Sequence, residues 1–275
     1  VNAAASRDSE ITTRVFDALE LREALDRLSR LNGPGELHAA ILALISPRES
    51  AESFIVWTHE TVFSPDASLI RQDITKLPDE LRVPVLEVFL DRMRVNPKEE
   101  RRGLLQATRR LVAVHTPLRP LDRLHWLLMR RRLGDRPPIP LPPQARNDLA
   151  ELSKYMIGRI ASVTAYLARM VPGPDAQAGL SWYAHVMSQL DHSGDVPPCK
   201  APDGDGLAHA LDEVEALPLM LRPVLMRGWV DAAINTSGRV RLMPLAADAL
   251  RIVADLLDSP LPPELARHFT EVDWK

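Results

Sequence analysis

One cysteine, Cys199, stands in 275 residues, so an internal disulfide and any multi-cysteine zinc site are excluded. A single thiol fits a reducing compartment. Aromatics are only 5% of the chain while hydrophobic residues reach 45%, so Leu, Ala, Val and Met must fill the core. No run of about 18 apolar residues occurs, so no membrane-spanning helix is expected. The first residues, VNAAASRDSEITTR, lack the apolar centre of a secretory leader, and none is expected. Glycine is scarce beside proline, 12 against 24. There is no Gly-rich phosphate loop, since Gly33-Pro34-Gly35 reads as a turn, and no Gly-x-Ser-x-Gly elbow. Net charge is only -3, which implies no bulk attraction to nucleic acid, and no nucleic-acid partner is expected.

What is present is helical periodicity punctuated by proline. Leu217 to Pro263 reads as helix, turn, helix, stop. Leu221, Val224, Leu225, Trp229, Ala232 and Ala233 recur at helical spacing. Asn235-Thr236-Ser237-Gly238 breaks the pattern, and Leu245, Ala249, Ile252, Val253, Leu256 and Leu257 form a second stripe. Pro260, Pro262 and Pro263 end it. An earlier stretch has the same plan: LPDELRVPVLEVFLDRM, then a long helix, the turn His115-Thr116-Pro117, a second helix and prolines.

In order, the spacing predicts helices over 11–31, 37–45, 66–75, about 79–94 with Pro84 inside, and 97–114. Ala51 to Phe63 is ambiguous in composition and is assigned to helix. Arg136 to Pro143 has five prolines in eight residues, which favours an extended linker. Two helical subdomains are therefore expected, 1–136 and 144–275, joined by 137–143. Gln144 to Met170 reads as one long helix and 175–190 as another. Asp191 to Gly206 reads as a mobile surface loop, with the final helical unit at 207–263. Beyond Pro263 the tail forms a last turn with Phe269 and Trp274 as anchors. Every assigned element is a helix, so the fold class is all-α, multi-helix and without a sheet.

Chemistry is thinly represented. A zinc-protease helix carries His at i and i+4, but His59-Glu60-Thr61-Val62-Phe63 has Phe63 where the second ligand belongs. Seven other histidines, among them His115 and His125, are scattered and read as surface or satisfied core residues. Asp203-Gly204-Asp205-Gly206 lacks the oxygen spacing of a calcium loop and reads as a flexible loop. Cys199 beside Lys200 reads as an incidental thiol. No catalytic, cofactor-binding or metal-ligating residue is assigned.

Charge distribution is more informative. From Arg92 to Arg136 there are thirteen Lys or Arg against four Asp or Glu, leaving the rest acidic by difference. Arg94, Lys98, Arg101, Arg102, Arg109, Arg130, Arg131 and Arg132 are the candidate contacts to an anionic surface, a membrane leaflet or an acidic partner. The alternative is a solvated face whose arginines pair with acidic helices of the same fold.

The ordered segments LPDELRVPVLEVFLDRM, NPKEERRGLLQATRRLVAVHTPLRPLDRLHWLLMRRRL and LPLMLRPVLMRGWVDAAINTSGRVRLMPLAADALRIVADLLDSPLPP carry a resemblance. Together they resemble the C-terminal extension of bacterial membrane zinc metallopeptidases of the HtpX and CAAX-prenyl-protease type. Those extensions carry helical units similar to the tellurite-resistance TerB fold. The likeness spans roughly Leu37 to Pro263. In such relatives both turns read as Asp-Gly followed by Arg or Lys. Here they are His115-Thr116-Pro117 and Asn235-Thr236-Ser237-Gly238, so no carboxylate stands there to hold a cation. The resemblance implies a non-catalytic regulatory or interaction domain of a membrane-anchored protease. Zinc would reside in a separate protease domain, and the chain would sit in the cytoplasm at the inner membrane face. Its partners would be the protease and membrane portions of a parent chain, or another protein. The alternatives are a free-standing TerB-like stress-response or scaffold protein, and an unrecognised enzyme.

Overall fold

The structure is a computed structural model that describes residues 17–135, 148–190 and 196–274. All regular elements among them are helices and no strand is present, as the periodicity predicts. Contacts divide the chain into two compact units, 17–114 with 271–274 and 115–270. The expected linker at 137–143 lies outside the described residues. The helix that precedes it belongs to the second unit rather than the first.

The first unit holds α1 (17–29), α2 (Pro34–Ile45), α3 (Ala51–Glu60), α4 (Ala67–Lys76), α5 (Asp79–Arg94) and α6 (Lys98–Val112). Its centre is α2, which packs against α3, α4, α5 and α6. The reason is compositional. Ala39 to Ile45 is an unbroken run of Ala, Ile and Leu, buried all round as only a central helix can be. Pro34 opens α2, and the Glu36 carboxylate accepts from the backbone N–H of Gly33 at 3.0 Å. Trp57 of α3 donates its indole N–H to the Ala39 carbonyl at 3.0 Å. Arg27 of α1 makes two 2.8 Å bonds to buried Asp73 of α4. Trp274 lies against Phe89, ring centroids 5.7 Å apart, and its carbonyl accepts from Arg92.

The second unit holds α7 (Pro120–Leu133), α8 (Lys154–Leu167), α9 (Ala176–Leu190), α10 (Gly204–Glu215), α11 (Leu221–Ser237), α12 (Pro244–Leu256) and α13 (Pro263–Ala266). Here α10 packs on α8, α11 on α9 and α12 on α7. The 207–263 stretch is thus half of one core, not a body apart. Two tryptophans set its register. Trp182 of α9 donates to the Trp229 carbonyl, and Trp229 of α11 donates to Thr164 Oγ1 of α8, both at 3.0 Å and buried. Arg251 stacks on Phe269 at 4.7 Å, so Phe269 anchors the end of this unit.

Several boundaries depart from the sequence reading. Asn235-Thr236-Ser237, read as a break, is the last turn of α11, which Gly238 ends. The helix read from 37 starts at Pro34, and the one read to Phe63 ends at Glu60. Of the expected helix over 144–170, residues 144–147 lie outside the described residues; in the rest, Leu149–Glu151 is a 3-10 turn and α8 runs from Lys154 to Leu167. Ser153 Oγ accepts from the Met156 N–H, a capping bond that hydrophobic periodicity does not register. Asp203-Gly204-Asp205-Gly206 is not a loop. Asp203 Oδ1 accepts from the Gly206 N–H at 2.7 Å and α10 begins at Gly204. Residues 191–195 of the expected mobile loop lie outside the described residues.

The two units share a device. Leu77-Pro78-x-x-Leu81-Arg82 heads α5 and Leu217-Pro218-x-x-Leu221-Arg222 heads α11. All four leucines are buried, and in each unit the second leucine donates its N–H to the proline carbonyl. Each arginine then fans onto carbonyls at or just past helix ends. Arg82 reaches Leu44 at the end of α2 and Ile74 near the end of α4. Arg222 reaches Leu217 at 3.0 Å and Leu257, just past α12, at 3.1 Å.

Candidate interaction surface

The basic segment is shared out by the fold. Arg92 donates to the carbonyls of Ser29 and Leu31 and closes the end of α1. Arg110 of α6 clamps the Glu60 carboxylate of α3, with Nη2 to Oε2 at 2.8 Å. That guanidinium holds the Glu60 carboxyl below the ordinary carboxylate range. Arg119 and His115 both face buried Asp122, at 2.9 Å from Arg119 Nε and 2.8 Å from His115 Nδ1. The turn His115-Thr116-Pro117 therefore supplies a partner to a core carboxylate of its own unit.

The eight candidate surface residues separate into two groups. Arg131 pairs with Glu215 at 2.7 Å and Arg132 with Asp255, both across helices of the second unit. These pairs are what the solvated-face alternative describes. Arg130 is half-buried beside them on α7. In the first unit, Arg94 lies exposed at the end of α5. Lys98, Arg102 and Arg109 are exposed along α6, and Arg101 is half-buried. Their spacing of four and seven puts Lys98, Arg102 and Arg109 on one side of the helix. Leu104, Ala107, Thr108 and Leu111 occupy the buried side, and Leu105 is half-buried.

The other sequence candidates have local duties. Phe63, where a second zinc ligand would stand, is 97% exposed. His38 of α2 is half-buried with Nε2 lacking a hydrogen-bond partner, and burial pushes its pKa below the ordinary value. Cys199 is a free thiol pushed up by burial, the opposite of what an activated nucleophile needs. Among the described residues no group of three or more His, Cys, Asp or Glu could hold a metal ion. No helix among them is long and apolar enough to cross a membrane.

Sequence reasoning missed the exposed apolar residues of α3 and of the turn after it. Ile55 and Val62 are each 68% exposed, and Phe63 follows. An apolar residue in a periodic pattern does not say which side of its helix the core will cover. The only available signal was the run of apolar residues beyond what one helix face needs.

No family model matches the chain, and no solved structure matches it. Over 111 residues it is 29% identical to the zinc import ATP-binding protein ZnuC of Sodalis glossinidius (strain morsitans). The match covers 36% of this chain and 44% of that protein, so the chain spans less than half of that relative's length.

Proposed function

We propose that this chain is a non-catalytic helical interaction domain that regulates a membrane-anchored zinc metallopeptidase from the cytoplasmic side. The zinc and the peptide-bond chemistry belong to a separate protease domain. The observation that carries the reading is the Leu-Pro-x-x-Leu-Arg frame that heads both α5 and α11. Each is followed by a helix–turn–helix plan of the kind the resemblance rests on. The exposed cations Arg94, Lys98, Arg102 and Arg109 are the contact to an anionic membrane surface in this reading. Arg131 and Arg132 serve ion pairs of the second unit instead.

The partial likeness to an ATP-binding protein does not redirect this reading. A phosphate-cradling loop of the G-x-x-x-x-G-K-[ST] kind needs a Gly-Lys pair, and the sequence contains none. The test is the open reading frame around the chain. A His-Glu-x-x-His segment flanked by apolar spans, in the same frame or in a co-purifying protein, supports the proposal. A frame without such a segment, in a protein that co-purifies with no protease, turns the reading to the free-standing scaffold.

A further inference from the structure

We propose that Phe89 and Arg92 of α5 form a recognition site for an extended, acidic, tryptophan-bearing peptide segment. Residues 271–274 fill that site as an internal ligand, and a partner protein's segment of the same chemistry replaces them. This goes beyond the function proposed above. It concerns how an interaction site on the first unit is kept filled, whichever protease accompanies the chain.

The occupant is seated in the structure, and four observations carry the proposal. First, residues 271–274 lie in no helix, and exposure alternates along them. Glu271 and Asp273 are exposed, whereas Val272 and Trp274 are half-buried. A period of two is that of an extended chain lying on a surface, with its apolar side in and its acidic side out. Second, the site reads both the side chain and the backbone of one residue. The Trp274 and Phe89 rings are 5.7 Å apart and tilted by 37°, and the Arg92 guanidinium stands 6.0 Å from the Trp274 centroid. Arg92 Nη2 donates to the Trp274 carbonyl at 2.7 Å. An aromatic neighbour together with a cation favours tryptophan over other side chains.

Third, the site is formed without its occupant. Arg92 Nη1 donates to the Ser29 and Leu31 carbonyls at 2.9 and 2.7 Å. Those bonds do not involve residues 271–274, so the guanidinium keeps its aim when the segment leaves. Phe89 is fully buried on a helix whose Val85, Leu86 and Leu90 are core residues as well. Emptying the site uncovers an aromatic face and leaves an aimed donor without its acceptor, and a ligand of the same kind repairs both. Fourth, the occupant is tethered. A short tether supplies an effective concentration of about 1 mM, which keeps even a weak ligand seated. The segment therefore excludes chance peptides and yields to a partner that adds contacts of its own.

Fluorescence anisotropy with a labelled peptide of residues 270–275, TEVDWK, tests this, beside the same peptide with alanine for tryptophan. The full 275-residue chain is used as wild type, Trp274→Ala and Phe89→Leu/Trp274→Ala. Trp274→Ala should bind TEVDWK with a Kd on the order of 0.1 mM. Wild type should bind it roughly tenfold more weakly, because its own segment competes at about 1 mM. The alanine peptide should lose roughly tenfold or more on Trp274→Ala, and TEVDWK should lose comparably on the double variant. Since residue 274 lies outside every helix, the helical ellipticity of Trp274→Ala should equal that of wild type.

No binding of TEVDWK to Trp274→Ala overturns the site. Equal binding to wild type and Trp274→Ala overturns its occupation by residues 271–274. Undiminished binding of the alanine peptide, or of TEVDWK to the double variant, overturns recognition of tryptophan by Phe89. A Trp274→Ala chain that loses its helical signal makes the segment a structural closure and overturns its exchange. None of these results bears on whether a protease domain accompanies the chain, which the reading frame decides separately.

Discussion

Two glycine-to-alanine replacements in the second unit should move stability in opposite directions. Gly228 lies inside α11, and a Cβ built on it meets nothing within 4 Å. Alanine there adds helix propensity worth up to about 1 kcal/mol and restricts the unfolded chain. Gly179 lies in α9, and propensity alone would also favour alanine. There, however, the new Cβ would fall 1.9 Å from the Ala168 carbonyl oxygen at the end of α8. Atoms of this kind do not approach within 3.0 Å, so α9 must shift by more than an ångström away from α8. The displaced partner is backbone, which cannot swing aside as a side chain could. Overpacking of this kind costs about 1–3 kcal/mol, and the shift would also disturb Trp182 one turn later. At roughly 2–4 °C per kcal/mol for a unit of this size, Gly228→Ala should raise the midpoint by a few degrees. Gly179→Ala should lower it by up to about 8 °C after the propensity gain is subtracted. Thermal melts followed by helical ellipticity, with guanidinium midpoints in parallel, measure both. A Gly179→Ala protein as stable as Gly228→Ala would refute the close approach of α8 and α9.

Two further outcomes follow from buried polar groups. Thr164→Val removes the acceptor of the Trp229 indole N–H and leaves that donor buried and unpaired. The expected loss is about 1–3 kcal/mol in denaturant unfolding, and no loss would mean that the indole finds another acceptor. His38 has its folded pKa depressed, chiefly by burial, with Arg110 adding to the shift and Glu60 and Glu100 opposing it. The unfolded chain then binds the proton more readily. The contribution of neutral His38 is thus complete above the ordinary value near 6.5 and is lost as pH falls through it toward the depressed folded value. Midpoints of wild type and His38→Leu at pH 8 and pH 5.5 should show a smaller acid loss in the variant. Parallel pH profiles would remove His38 from the account.

Helices were legible because proline punctuates them, but the side each proline serves was not always legible. Pro34, read within a turn, and Pro263, read as a stop, each open a helix, as do Pro120 and Pro244, while Gly238, at φ 61, ends α11. The caps Ser153 and Asp203 were not legible. A capping residue looks like any polar residue until the bond to the following N–H groups is seen. The fate of the basic segment was half legible. The spacing of Lys98, Arg102 and Arg109 gives one helix side directly. The partners of Arg131 and Arg132 stand 84 and 123 residues away, a distance that no local pattern spans. Phe63 was read only as a missing ligand, because the meaning of its exposure depends on which side of α3 meets α2 and α6.

The central claim is that zinc and hydrolysis lie outside these 275 residues. Elemental analysis of the purified chain, beside the product of its full open reading frame, tests this most directly, with a casein-like substrate assayed on both. The account predicts a chain without stoichiometric zinc or hydrolysis, and a full product that holds tightly bound zinc and cleaves. Tightly held zinc at one per chain on residues 1–275 alone, or cleavage by them, would contradict it.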